Sequence, residues 1–421
     1  LFEYMNNEHE IFRQVGYIQQ TLSQDKKPIG VFIAAGCPLS VRVNERDVAG
    51  KKIDDPLIPD VAGLTSLIAT KLTSGDKKKP SHYDKLLIQM EADGIKDANI
   101  EIILSQIRAL KQVAGNGTVK EFTEKDLIEL DELICKTISA EVDKLLPNLE
   151  TPYHGLAAWA KALDRDKPVH IFTINYDLLT EQALEEEGCL YFDGFIGARK
   201  AFFDLGAVED EKILHPRWAR LWKIHGSINW RLDSNKNIIR TYEKDDKQSY
   251  LIYPSHLKYD QSRKMPYLAM LDRLKDFIMS PSSALFIVGY SFSDDHINDI
   301  ILQSLRSNPT AIIYSFIYGD LEQDKYEKAI RCAKSTNNLS LIAFDKAIIG
   351  RKVGKWTLKD HEKVNEIPSE IVKFKKETVD VAGKATDIYT YELQLGDFKL
   401  FGNFLKEISA TKKNKHEKGS E

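Results

Sequence analysis

The sequence predicts an α/β protein built on a mainly parallel sheet. Three observations carry that reading. Short apolar runs at 31–35, 169–174, 218–225, 284–288 and 311–318 have the β-branched and aromatic bias of buried strands. Helical patterns stand between them, as crossover connections do in open α/β sheets. Four of these runs end in glycine or a polar residue, where such sheets place their ligand sites.

At 421 residues the chain has room for a large core and, at about 150 residues each, for two or three domains. Its 43% hydrophobic and 29% charged content is ordinary for a globular protein. A net charge of -4 gives no general electrostatic case for binding nucleic acid or an anionic membrane. No run approaches the roughly 18 apolar residues of a membrane span. The first residues lack the basic-then-apolar order of a signal peptide, so a cytoplasmic location is expected. Cys37, Cys135, Cys189 and Cys332 lie far apart with no C-x-x-C, a spacing that offers neither a zinc ribbon nor a disulfide framework. All four read as small buried hydrophobes.

Taken in order, residues 6–24 carry Ile11, Val15, Ile18 and Leu22 at helical spacing and predict an opening amphipathic helix. Pro28 and Gly30 break it, and the first strand runs into Gly36-Cys37-Pro38-Leu39-Ser40. Residues 41–60 are polar and hold Pro56 and Pro59; they read as a long loop of the kind that forms lids or binding segments. From 61 to 146 the pattern is almost wholly helical, with Thr123 and Asp126 spaced as a capping box. This stretch is expected to be a helical module inserted between the first two strands, its apolar stripes forming a core of its own. The lysine run at 77–79 reads as a solvated turn.

A helix at 153–164 leads into the strand 169–174, which meets Asn175-Tyr176-Asp177 as another helix begins. Strand 218–225 ends in His225-Gly226-Ser227, and 228–253 suggests a small β meander. A helix at 266–279 precedes strand 284–288 and Gly289-Tyr290-Ser291. Ser293 is expected to cap the next helix, with Asp294 and Asp295 in its first turn. Residues 1–60 and 147–330 thus form one α/β domain, with 331–410 as a small C-terminal α+β appendage and the lysine-rich 411–421 as a disordered tail. In the appendage, 339–344 is a further strand, and Phe398, Phe401 and Phe404 serve either a core or a docking face.

The candidate site is the convergence of four strand ends: 36–40, 175–177, 225–227 and 289–291. Each has a bland reading. Gly36 makes a turn, Asn175 and Asp177 make a turn and a helix cap, and a lone histidine is usually structural. Parallel strands would bring all four ends to one edge, although more than 250 residues separate the first from the last. Asp320, after the strand at 311–318, is placed either to meet a ribose hydroxyl or simply on the surface.

The ordered set resembles the signature of the sirtuin-like NAD-binding fold. It comprises a strand with Gly36-Cys37-Pro38-Leu39-Ser40, then Thr173-Ile174-Asn175-Tyr176-Asp177, His225-Gly226-Ser227 and Gly289-Tyr290-Ser291. The Asn-Tyr-Asp form, with Gly-Tyr-Ser-Phe-Ser-Asp, is similar to the bacterial branch found in antiphage defence, in particular the sirtuin-like subunit that pairs with a HerA-type ATPase. The resemblance covers about 30–320 and implies a Rossmann-like sheet. It also implies NAD as substrate, a HerA-type hexameric ATPase as partner and a large homo-oligomer. It assigns Asn175, His225 and Asp177 to catalysis. Ala35, Gly36, Cys37, Ser40, Gly289, Tyr290, Ser291 and Asp320 fall to NAD binding, with Arg42 a substitute for the family's usual arginine. The family's protein deacylases carry four zinc cysteines after the His-Gly motif and a Phe-Gly-Glu segment that receives acyl-lysine. Neither is present, the latter region reading Leu251-Ile252-Tyr253-Pro254-Ser255. The implied chemistry is therefore cleavage of the nicotinamide–ribose bond with water as acceptor and no zinc module. A non-catalytic NAD or ADP-ribose sensor stays open, as does a DNA-processing subunit; a deacylase comes last.

Overall fold

A computed structural model describes residues 7–48, 51–74, 79–115, 117–162, 165–210, 212–235, 237–242, 265–359, 370–381 and 384–417. Ten strands form the central sheet: β1 (Asn7–Glu10), β2 (Ile29–Ile33), β3 (Val169–Thr173), β4 (Tyr191–Phe192), β5 (Ala219–Lys223), β6 (Ala284–Val288), β7 (Ile312–Phe316), β8 (Leu339–Ile342), β9 (Lys346–Ile349) and β10 (Lys352–Thr357). Across the sheet they run β1-β10-β9-β8-β7-β6-β2-β3-β5-β4. Neighbours are parallel except where β9 turns back between β8 and β10. The predicted α/β, mainly parallel Rossmann-like sheet is present.

Helices cover both faces: α1 (Ile11–Leu22), α2 (Val61–Leu72), α3 (His82–Ala92), α4 (Ile100–Ala114), α5 (Glu124–Val142), α6 (Pro152–Ala162), α7 (Leu179–Glu186), α8 (Leu205–Glu209), α9 (Tyr267–Met279), α10 (Asp295–Ser307), α11 (Glu327–Ser335) and α12 (Phe398–Glu417). Burial on both faces is why β2, β3 and β6 read as unbroken apolar runs and not as alternating ones. Within β2 the faces still divide. Val31 and Ile33 enter a core with Ile171 and Phe286, while Phe32 enters a second core with Phe172 and Trp222.

The chain fills the sheet outward from β2 through β3 to β5, then crosses back so that β6 pairs with the other side of β2. That reversal makes a crevice at the carboxyl ends of the strands. Register sharpens it: Val288, Ile33, Thr173 and Lys223 stand side by side as the last residues of β6, β2, β3 and β5.

The structure departs from the sequence pattern in several places. The opening helix is preceded by β1, which adds an edge to the sheet beside β10. Residues 41–60 do not form a long loop: Arg42–Val48 and Lys51–Pro56 pair as an antiparallel ribbon. Its cross-strand contacts are ionic, Arg42 to Asp54 at 2.8 Å and Arg46 to Asp55 at 2.6 Å. A strand polar on both faces lacks the alternation that would announce it.

The insert is helical, α2 to α5, with the Thr123–Asp126 capping box in place. Its apolar residues do not form a separate core. Ile68, Leu104 and Leu127 belong to the same cluster as Val31 and Ile171 of the sheet.

The C-terminal stretch is joined to the main sheet through β8, β9 and β10. Phe398, Phe401 and Phe404 of α12 are 2%, 0% and 1% exposed, which answers the core-or-docking question in favour of core. Helix α12 continues to Glu417, so most of the expected disordered tail has helical backbone. A helix nucleated by a docked apolar stretch propagates at little cost into residues with no apolar face of their own. The meander expected at 228–253 contributes Trp230–Leu232 and Ile238–Arg240 to a four-stranded antiparallel sheet, and 243–264 lies outside the described residues. All four cysteines are buried and free. Among the described residues no helix is long and apolar enough to cross a membrane.

Candidate functional site

Because the strand ends are in register, their loops touch. The Ala34 amide donates to the Val288 carbonyl at 3.2 Å, and the Gly36 amide to the Gly289 carbonyl at 3.0 Å. Asn175 Nδ2 donates to the Ala34 carbonyl at 3.2 Å, and the Ile228 amide to the Tyr176 carbonyl at 3.0 Å. All four predicted segments are therefore stitched into one rim.

A cavity of about 460 Å³ opens on this rim, within the size range of small-molecule sites. Ala35, Asn175, Asp177 and His225 line it, together with Tyr176, Asp294, Asp295, His296 and Lys328. The apolar part of the lining comes largely from the insert: Val61, Leu64, Ile100, Ile102, Ile138 and Val142. The insert thus supplies part of the cavity wall, which its helical pattern in the sequence does not reveal.

The polar wall is tightly held. Asn175 is 9% exposed, and its own amide donates to Thr173 Oγ1 at 3.0 Å. Asp177 Oδ1 accepts the Leu179 amide at 3.1 Å, so it serves the start of α7 while also facing the cavity. Behind it Lys223, 1% exposed, donates to the Asp177 main-chain carbonyl and, at 2.8 Å, to Glu181 Oε1. Burial pushes both the Asp177 and the Glu181 carboxyl up from the usual range, against the pull of Lys223. In the sequence the signal for Lys223 is an amine closing an otherwise apolar strand. Tyr176 also belongs to the cavity lining. Its hydroxyl is buried with no hydrogen-bond partner among the described residues, and its side chain lines the cavity, which suits a polar ligand atom or a water.

His225 Nε2 lies 3.3 Å from Asp294 Oδ2. Asp294, not Ser293 as expected, is the cap of α10: its Oδ1 accepts the His296 amide at 3.1 Å and the Ile297 amide at 3.4 Å.

The other predicted contacts are placed differently. Gly36 and Gly289 are close because their backbones meet each other: a Cβ on Gly36 would lie 2.8 Å from Gly289 Cα. Gly289 also has φ +71, a left-handed value that glycine adopts without strain. The Cys37 amide donates to Ala34 and the Ser40 amide to Cys37, so with Gly36 these N–H groups are spent inside the chain and not held out for a pyrophosphate. Cys37 Sγ is turned toward the Val288 carbonyl at 3.4 Å, and burial raises its pKa far above the usual thiol range. Tyr290 is a core side chain whose hydroxyl donates to Asn298 Oδ1 at 2.9 Å. Ser40, Ser291 and the exposed Asp320 are not among the residues that line the cavity. Arg42 belongs to the ribbon, bonded to Asp54 and to the Leu39 carbonyl. Among the described residues no group of three or more His, Cys, Asp or Glu side chains is arranged to hold a metal ion.

A family model described as a SIR2-like domain matches residues 169–341. That match spans β3 to β8 and so contains Asn175, Asp177, His225 and Asp294, though not the 36–40 loop. Among solved structures, one of Sir2 enzymes, described in terms of their mechanism and regulation, is similar at 11% identity and TM-score 0.33. It covers 74% of this chain and 88% of that one. A Sir2 homologue, a serine-to-alanine mutant in complex with ADP-ribose, is similar at 13% identity and TM-score 0.31, covering 72% of this chain and 84% of that one. A search of curated proteins returns no match.

Proposed function

We propose that this chain is an NAD+ glycohydrolase that cleaves the nicotinamide–ribose bond. The observation that carries the reading is the gathering of Asn175 and His225, with Asp177 and Ala35, around one cavity at the crevice of the sheet. The SIR2-like match over 169–341 supports chemistry on NAD in general. Breaking the C1′–N bond leaves an oxocarbenium-like ribose and neutral nicotinamide, as in glycoside hydrolysis. Water adds at C1′ and gives up a proton, so the products are ADP-ribose, nicotinamide and a proton.

In this reading Asn175, its Nδ2 tied to Ala34, presents Oδ1 to the nicotinamide ribose or the attacking water. His225 takes the proton of a ribose hydroxyl or of that water, work suited to an imidazole near neutral pH. Asp177 orients the nicotinamide end and holds the loop. The residues present fit the sugar and base of NAD. The amides of Gly36, Cys37 and Ser40, being bonded internally, leave the diphosphate to other contacts. No zinc enters, and water is the acceptor because the deacylase features are missing from the sequence. The wider setting we propose is NAD depletion in antiphage defence, in a large homo-oligomer working with a HerA-type ATPase.

The test is NAD consumption by the full chain, alone and co-expressed with such an ATPase, resolving nicotinamide and ADP-ribose. We expect turnover, and a loss of at least about 100-fold in Asn175→Ala and His225→Ala. Full turnover in both variants would sink the assignment, and NAD binding without products would favour a sensor.

A further inference from the structure

Asp294 divides its carboxylate between two tasks. Oδ1 takes the first amides of α10, while Oδ2 stands 3.3 Å from His225 Nε2, and the two side chains are only 12% and 13% exposed. The loop that carries Asp294 is braced from behind. The Tyr290 hydroxyl, with one proton to give, lies 2.9 Å from Asn298 Oδ1 and 3.1 Å from the Asp294 main-chain carbonyl, and Asn298 Nδ2 donates to the Phe292 carbonyl at 2.8 Å. Phe292 holds φ +60, a left-handed value a bulky residue rarely keeps unless its surroundings enforce it. A helix cap alone needs one oxygen. Here the second oxygen is aimed, on a rigid loop, at a histidine that arrives from β5.

We propose that Asp294 is a positioning residue for His225, fixing the orientation of its imidazole and stabilising the imidazolium when it takes a proton. A carboxylate behind a histidine sets ring orientation and raises its basicity. Amides at a helix start favour the charged form of a carboxylate that accepts from them. Other charged or titratable groups face the same cavity: Tyr176 and Asp177 from the loop after β3, Glu101 from α4, Asp295 and His296 from α10, and Lys328 from α11. Of these, Lys328 is held by Asp295 at 2.7 Å, and the Tyr176 ring centre lies 6.5 Å from that of His225. Asp294 is the carboxylate placed against the imidazole nitrogen.

The role as proton-transfer group is taken from the proposed glycohydrolase reading, so the test uses a readout independent of NAD. Asparagine caps helices about as well as aspartate, so Asp294→Asn keeps the cap and removes the charge beside His225. With isotope-labelled histidine, the His225 ring signal is assigned among the chain's 10 histidines by its loss in His225→Gln. We expect His225 to titrate at a lower pH in Asp294→Asn than in the unaltered chain. Where the unaltered chain turns over NAD, we expect kcat to fall roughly 100-fold with KM within a few-fold, and the acid limb of the pH–rate profile to move with the titration. Should the Asn form fail to fold, Asp294→Ser, also a good cap, gives the same readout. An unchanged His225 titration, or unchanged turnover, overturns the proposal. A shifted titration in a chain with no NAD turnover upholds the pairing and overturns the glycohydrolase reading instead.

Discussion

Lys223, 1% exposed, carries its charge beneath the Asn175–Asp177 loop. Its ammonium ties Glu181 of α7 to the Asp177 main chain, while Glu181 Oε2 has no hydrogen-bond partner among the described residues. Removing one partner of a buried pair leaves the other desolvated and uncompensated, typically at about 3–5 kcal/mol, whereas replacing both is far milder. Lys223→Met should therefore lower the urea midpoint sharply, and Lys223→Met with Glu181→Leu should recover much of the loss. Equal midpoints for the single and double variants would show that the pair is not coupled. His170 offers a pH handle at the same scale. It sits between Phe172, Phe277 and Trp222, accepts the Trp222 indole N–H at 3.1 Å, and burial pushes its pKa down to about 3. A histidine depressed in the folded state takes up protons first on unfolding, so its contribution is complete above the ordinary value of 6.5 and is lost as pH falls from there toward 3. The raised Asp177 and Glu181 carboxyls work in the opposite direction. Melting temperature should drop between pH 7 and 5 less steeply in His170→Gln than in the unaltered chain.

Among elements, the loops after β2 and β6 define the crevice by direct backbone contact. A Cβ on Gly289 would lie 2.8 Å from both the Cys37 amide nitrogen and Cys37 Sγ, and φ there is +71. Gly289→Ala thus meets both a backbone clash and a strained dihedral. It should cost more than about 1 kcal/mol, read as a lower denaturant midpoint, whereas a neutral outcome would mean the two loops can part freely. The four strand ends were legible in the sequence because each is a short apolar run meeting a polar residue or glycine. What the glycines face was not legible. A glycine that lets backbone approach a phosphate and one that lets two loops touch leave the same mark, and here Gly36 and Gly289 face each other. Asp294 shows the same limit: Ser293 and Asp294 are both good caps, and only the position of His225 separates a cap from a cap with a second task.

For the whole molecule, the C-terminal stretch completes the central sheet and covers one of its faces. Phe398, Phe401, Phe404, Leu405 and Ile408 of α12 are all buried, with Phe398 5.0 Å from Tyr153 and Phe401 5.4 Å from Phe316 between ring centres. At roughly 1.5–3 kcal/mol for each buried large apolar side chain, their loss rivals the whole 5–15 kcal/mol stability of a typical domain. A chain ending at residue 397 should therefore be insoluble or lack a cooperative thermal transition; a soluble truncate melting like the full chain would show that α12 is dispensable. The insert belongs to this scale too, since its helices line the cavity together with the polar rim and share a core with the sheet.

The sequence by itself determined the class of fold, the helical nature of the insert and the place of Asn175, Asp177 and His225 at strand ends. These follow from local pattern: apolar period, turn chemistry and caps act over a few residues and are written in order along the chain. Tertiary structure alone decided that 41–60 pairs as a ribbon, that the insert walls the cavity, that the Gly36 and Ser40 amides are already spent, and that Lys223 and Asp294 stand behind the site. Each depends on which surfaces meet across tens to hundreds of residues, and the cost of burying a charge or an amide is set by that meeting and not by its neighbours in sequence.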